Sequence, residues 1–126
     1  MPEYQKPTGT LDTLPDEQHY WDYVRKHVRH LSEMIGFERL DVPIFEATEL
    51  FARGIGAGTD VVEKEMYTFV DKGEHQLTLR PEFTAGVVRA YIENGMYVLP
   101  QPQKLYSIGP TFRYDRPQAG RYRQLT

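Results

Sequence analysis

Glu65-Met66-Tyr67-Thr68-Phe69-Val70-Asp71-Lys72-Gly73-Glu74-His75-Gln76-Leu77-Thr78-Leu79 reads as two β-rich runs around a polar turn. Asp71-Lys72-Gly73-Glu74 has hairpin composition, and a hairpin commits its two strands to antiparallel pairing. Working outward, Tyr20, Val24, Val28, Leu31 and Ile35 step by three or four and predict a helix over about 16–35. Trp21 and Met34 widen that apolar stripe, and burying it should stabilise by roughly 1.5–3 kcal/mol per large side chain. Pro15-Asp16 suits the start of the helix and Gly36 its stop. Arg25, Lys26, His27, Arg29 and His30 read as its wet face. The opening, Met1 to Leu14, carries Pro2, Pro7 and Gly9 and reads as an extended arm.

Phe37 to Ile44 reads as a strand interrupted by Pro43, hence at an edge or an interface. Ala47 to Arg53 predicts a short helix with Leu50 and Phe51 inward. Gly54-Ile55-Gly56-Ala57-Gly58 is glycine-rich, but no Lys-Ser/Thr follows it and no apolar strand precedes it, so it is not a P-loop. Glu82 to Asn94 predicts a second long helix packed through Val87, Val88, Tyr91 and Ile92, and Lys104 to Tyr114 a further strand region. Helix, strand, short helix, hairpin, helix, strand is the order of an α+β fold, an antiparallel sheet flanked by helices.

With 126 residues, 40% hydrophobic and 26% charged, the chain has the composition of one folded domain or a piece of one. It has no cysteine, so it carries neither a disulfide framework nor a thiolate metal site. No apolar run approaches membrane-spanning length, and a cytoplasmic protein is the expectation. Charge is uneven. Arg113, Arg116, Arg121 and Arg123 with Asp115 give +3 locally against −3 overall, so the remainder carries −6 (−3 minus +3). Such a cationic patch, bent at Pro117 to Gly120, suits a phosphate, which arginine grips through its two-pronged fork. A solvated basic loop is the plainer reading of the same residues.

Thr59 to Phe69, Leu79-Arg80-Pro81-Glu82-Phe83-Thr84-Ala85 and the closing arginine loop together resemble histidyl-tRNA synthetase of the bacterial type. Gly36-Phe37 through Pro43-Ile44 resembles the class II first motif, and Ile108-Gly109-Pro110-Thr111-Phe112-Arg113 onward the second. The resemblance covers about residues 8 to 124 and implies that residues 1–126 form the amino-terminal part of a class II catalytic domain. On that reading the chain holds the first motif and the start of the second, its returning strand is absent, and there is no anticodon-binding domain. Lys104 to Tyr114 would then be an exposed edge.

The resemblance implies a histidine–tRNA ligase, with ATP and Mg²⁺ as a substrate complex, no tightly bound cofactor, and the acceptor end of tRNA(His) as partner. It implies a homodimer in the full-length protein, with Phe37 to Ile44 at or near the two-fold interface; neither membrane nor DNA is expected as a partner. Glu82, Phe83 and Thr84 match the segment that binds histidine, Glu82 and Thr84 at its α-ammonium, with Phe83 standing where the family usually has Gly. Arg113 matches the catalytic arginine on the ATP α-phosphate and the histidine carboxylate. Asp115 stands where the family usually has Glu near the adenine, and Arg121 and Arg123 match the loop at the terminal phosphates and the tRNA end. The resemblance assigns no metal ligand within the chain. A noncatalytic paralogue, such as the regulatory subunit of ATP phosphoribosyltransferase, is the alternative it leaves open. Apart from any ligand role, Glu82 could serve as a helix N-terminal acid and Thr84 as a capping hydroxyl.

Overall fold

The computed structural model describes residues 3–55, 65–114 and 122–126. Most of the Gly54 to Gly58 loop, Thr59 to Lys64, Asp115 and Arg121 therefore lie outside the described residues.

A three-stranded antiparallel sheet forms the centre, in the order β2 (Phe45–Ala47), β4 (Gln76–Leu79), β3 (Thr68–Val70). The β3–β4 hairpin is the one read from the sequence, with Val70 opposite Gln76 and Thr68 opposite Thr78. Asp71 closes it: its Oδ1 accepts the amides of Gly73 (2.9 Å) and His75 (2.8 Å), while Glu74 takes the left-handed conformation at φ 64°. A short acidic side chain that satisfies two turn amides is what makes this loop tight.

Glu46, Thr78 and Thr68 lie opposite one another across the sheet and so share one face. On that face the Thr78 hydroxyl, fully buried, bonds those of Thr68 (2.9 Å) and Thr48 (2.8 Å), the first residue of α2 (Thr48–Ile55). Beside it, buried Glu46 meets Arg89 of α3 (Thr84–Glu93), with Oε1 2.9 Å from Nη2 and Oε2 2.8 Å from Nε. Phe51 of α2 and Ala90 of α3 supply the apolar core. On the other face Phe45 and Phe69 pack edge to face at 6.2 Å.

The α3 face differs from the sequence reading. Val88 and Ile92 are exposed, and Gly86 and Ala90 are the buried pair. A Cβ on Gly86 would stand 3.3 Å from both Glu46 Oε1 and Val42 Cγ2, so small residues bring this helix against β2.

A 3-10 turn, Pro15–Glu17, leads into α1 (Gln18–Met34), and the Leu14 amide donates to Glu17 Oε2 at 3.2 Å. Gly36 ends the helix at φ 81°, as its position foretold. The expected burial of the α1 stripe is not met. Tyr20, Val24, Leu31 and Ile35 are exposed, and only Trp21 and Val28 are half-buried. The basic residues of its other face are exposed as expected.

Phe37 to Ile44 is not one strand. β1 is only Glu38–Arg39 and pairs in parallel with β5 (Leu105–Tyr106), a parallel contact that the antiparallel reading left out. The backbone then leaves the ladder before Pro43, which has no amide to donate, and pairing resumes at β2. Lys104 to Tyr114 likewise divides into β5 and β6 (Thr111–Phe112). β6 is not a bare edge: β7 (Gln124–Leu125) returns antiparallel to it, Thr111 opposite Leu125. The returning strand thus begins within the chain. The Arg113 amide donates to Arg123 O (2.9 Å) and the Arg123 amide to Gly9 O (2.7 Å), which docks the amino-terminal arm on β7. No helix among the described residues is long and apolar enough to cross a membrane.

Candidate active site

The junction from β4 to α3 runs Arg80-Pro81-Glu82-Phe83, and it meets β6 directly. The Arg80 amide donates to Ile44 O (2.7 Å) and the Phe112 amide donates to Arg80 O (2.9 Å), so residue 80 sits between two segments. Pro81 is buried and has no amide to satisfy; its carbonyl oxygen instead accepts Nε of Arg113 at 3.2 Å. One edge of the Arg113 guanidinium is thereby fixed, and Nη1 and Nη2 make no hydrogen bond among the described residues. Arg113 is exposed.

Glu82 is half-buried just before α3, and both of its carboxylate oxygens accept the Ala85 amide, at 3.2 and 3.3 Å. This is the helix N-terminal acid that its position allowed, and it holds the carboxylate in one place. A carboxylate has about four acceptor sites, so this bond leaves capacity for an ammonium. Thr84 is the first residue of α3 and exposed; it does not cap the helix, whose N-cap is Phe83 with no side-chain hydrogen bond. Phe83 is half-buried, with the Arg80 guanidinium carbon over its ring at 4.3 Å.

Two aromatics border the arginine strand and were missed by the sequence reading. Tyr114 packs edge to face on Tyr67 at 5.5 Å, and the Arg123 guanidinium lies over the Tyr114 ring at 4.7 Å. Burial pushes the Tyr67 hydroxyl above its ordinary pKa, partly opposed by the charge of Arg123. The signal was available in the alternation of tyrosine and arginine, but nothing local pairs Tyr114 with Tyr67. Arg80 was also missed as a side chain: it is buried, and its pKa is lowered by desolvation. Its place between Leu79 and Pro81, at the end of an apolar strand, was the available sign.

Glu82, Phe83, Thr84 and Arg113 are therefore brought to one junction, and Arg123 to the neighbouring strand. The arginines fit phosphate. Among the described residues no three of His, Cys, Asp and Glu gather where they could hold a metal ion.

The Ala85 amide thus fixes a carboxylate at the start of α3, and the Pro81 carbonyl tethers a guanidinium beside that segment. The histidyl-tRNA synthetase family profile matches residues 9–126, and the chain belongs to that family. It is 58% identical over 120 residues to the histidine–tRNA ligase of Desulforamulus reducens, covering 95% of this chain and 29% of that protein. With the Dehalococcoides mccartyi enzyme of the same name it shares 55% identity over 121 residues, 96% of this chain and 29% of that protein. The chain thus spans about 29% of the length of these relatives. Apo histidyl-tRNA synthetase of S. aureus superposes with a TM-score of 0.79 at 43% identity, over 96% of this chain and 27% of that one. A Bacillus halodurans protein described as ATP phosphoribosyltransferase regulatory subunit/histidyl-tRNA synthetase has the same fold at a TM-score of 0.77, 20% identity, and coverage of 98% of this chain and 31% of that one.

Proposed function

We propose that this chain supplies one wall of the histidine-activating site of a histidine–tRNA ligase. The observation that carries the reading is the Arg113 to Pro81 hydrogen bond, which seats a guanidinium beside the Glu82 segment. In the proposed reaction a carboxylate oxygen of histidine attacks the α-phosphorus of ATP, and pyrophosphate leaves. Glu82 takes the histidine ammonium, with the Thr84 hydroxyl as a further acceptor at the edge of the cleft. Nη1 and Nη2 of Arg113 face the histidine carboxylate and the α-phosphate, where charge grows on the equatorial oxygens in the transition state.

Arg123, stacked on Tyr114, supplies positive charge toward the terminal phosphates and the tRNA(His) acceptor end; Asp115 and Arg121 are assigned to the adenine and the phosphates by resemblance. Mg²⁺ would arrive with ATP, taking phosphate oxygens as ligands and neutralising their charge. Histidine then passes to the terminal ribose of the tRNA. We also assign residues 1–126 to the amino-terminal part of the catalytic domain, the full-length protein to a cytoplasmic homodimer, and the exposed α1 stripe together with residues 37–44 to the two-fold interface. An unpartnered apolar helix face is the support for that assembly.

The test is ATP–pyrophosphate exchange by the full-length protein. Exchange that depends on histidine and on no other amino acid is the expected result. Histidine binding without exchange would replace this reading with the noncatalytic paralogue.

A further inference from the structure

We propose that Arg80 is a positioning residue for this reaction, fixing Arg113 relative to Glu82 from behind the site; the inference rests on the ligase reading above. Arg80 is 5% exposed, and none of its hydrogen bonds goes to a carboxylate. Its Nε donates to Pro110 O (2.8 Å) and its Nη1 to Val42 O (3.0 Å), with Pro43 O at 3.5 Å. The Phe83 ring lies over the guanidinium, and Nη2 passes so near Gly109 that a Cβ there would stand 2.5 Å away. Asp41, the acid whose field acts on it, is itself paired with Arg39 at 2.9 Å.

A buried cation without a carboxylate partner is costly unless its geometry is well satisfied. Here the compensation comes from carbonyl dipoles on two separate segments and from an aromatic face. Those segments matter for function. Pro110 and Phe112 lie on the segment that runs into Arg113, and both are bonded to residue 80, one to its side chain and one to its backbone. Pro81, next in sequence, holds Arg113 itself, and Glu82 follows. The forked guanidinium therefore locks the strand of the phosphate-facing arginine to the segment of the ammonium-facing acid. Lysine keeps the charge but offers neither the fork nor the flat stacking surface. Phe83 is assigned to this lock rather than to contact with the substrate side chain.

The experiment is single-turnover adenylate formation in the full-length protein, with competent sites counted from the burst amplitude and histidine affinity measured directly. In Arg80→Lys the rate per counted site should fall at least about tenfold, because small misplacements of reacting groups are expensive. Histidine affinity should change by less than about threefold, since the ammonium contact is retained. Phe83→Leu should move the rate in the same direction by less. A merely structural role would lower the number of competent sites and leave the rate of each within about twofold of the parent, and that result overturns the proposal. If Arg80→Lys does not fold, Gly109→Ala carries the same expectation and the same refutation, because its methyl group displaces the guanidinium. Arg113→Ala separates the two readings. A parental rate in Arg113→Ala overturns the active-site assignment and this proposal with it. A collapsed rate there, beside an unchanged one in Arg80→Lys, overturns the positioning role alone.

Discussion

Arg113 Nε and the Pro81 carbonyl oxygen, 3.2 Å apart, join the arginine strand to the junction that carries Glu82. The contact is made by backbone on one side, so it survives substitution at either neighbour. It fixes one edge of the guanidinium and holds together two short segments 32 residues apart.

Substituting Val24 and Leu31 together by Asp should convert the proposed full-length dimer to a monomer, read by light scattering. Both are exposed on α1 here, so the isolated fold loses little by the change, whereas an apolar interface loses its contact surface and buries charge. A dimer that persists would remove α1 from the interface.

Thr78→Val preserves shape but leaves the Thr48 and Thr68 hydroxyls without their shared partner. The expected loss is about 1–2 kcal/mol, read as a lower denaturant midpoint with an unchanged slope. An unchanged midpoint would show that these hydroxyls are satisfied in another way.

Glu46→Gln removes the charge opposite Arg89 while keeping the volume. The expected cost is about 1–2 kcal/mol, below that of a fully buried pair, because Arg89 is 28% exposed and keeps Glu93. Equal stability in the variant, measured by chemical denaturation, would contradict this.

The β3–β4 hairpin should loosen in acid. The Asp71 carboxyl is held below its ordinary 3.8 chiefly by the His75 amide, with the His75 charge and the Gly73 amide adding to it. A carboxylate depressed in the folded state contributes stability that is complete above the unfolded value, and it is lost as pH falls through the folded one. Amide exchange at Gly73 and His75 should therefore quicken as pH drops below 3.8, beyond the intrinsic pH trend, and Asp71→Asn should abolish that excess. The same excess in the variant would assign it to another group.

Much of this was legible in the residues. Asp71-Lys72-Gly73-Glu74 announced the hairpin, and Gly36 stops α1 in the left-handed conformation that favours glycine. Periodicity placed α1 correctly but could not reveal what covers its stripe, because a moment records which side is apolar and not what it meets. It failed on α3 for a different reason: Gly86 and Ala90 are weakly hydrophobic, yet they face inward because closeness to β2 matters more there than apolar area. The burial of Glu46 could not be read locally, since its partner Arg89 lies 43 residues away, and the bonds from Thr78 to Thr48 and from Arg80 to Pro110 each span 30 residues. At the site, resemblance supplied the roles of Glu82 and Arg113, while the Pro81 tether and the Arg80–Phe83 stack came only with the fold.

The most direct test compares Arg113→Ala with Glu82→Ala in the full-length protein, by pyrophosphate exchange at saturating and limiting histidine. Arg113→Ala should slow exchange by about a hundredfold or more at saturation, roughly 3–4 kcal/mol, because its strongest contacts form with charge developing at the α-phosphate. Glu82→Ala should mainly raise the histidine concentration required, since the ammonium is present in ground and transition states alike. Exchange by Arg113→Ala near the parental rate would contradict the assignment of this junction as the adenylation site.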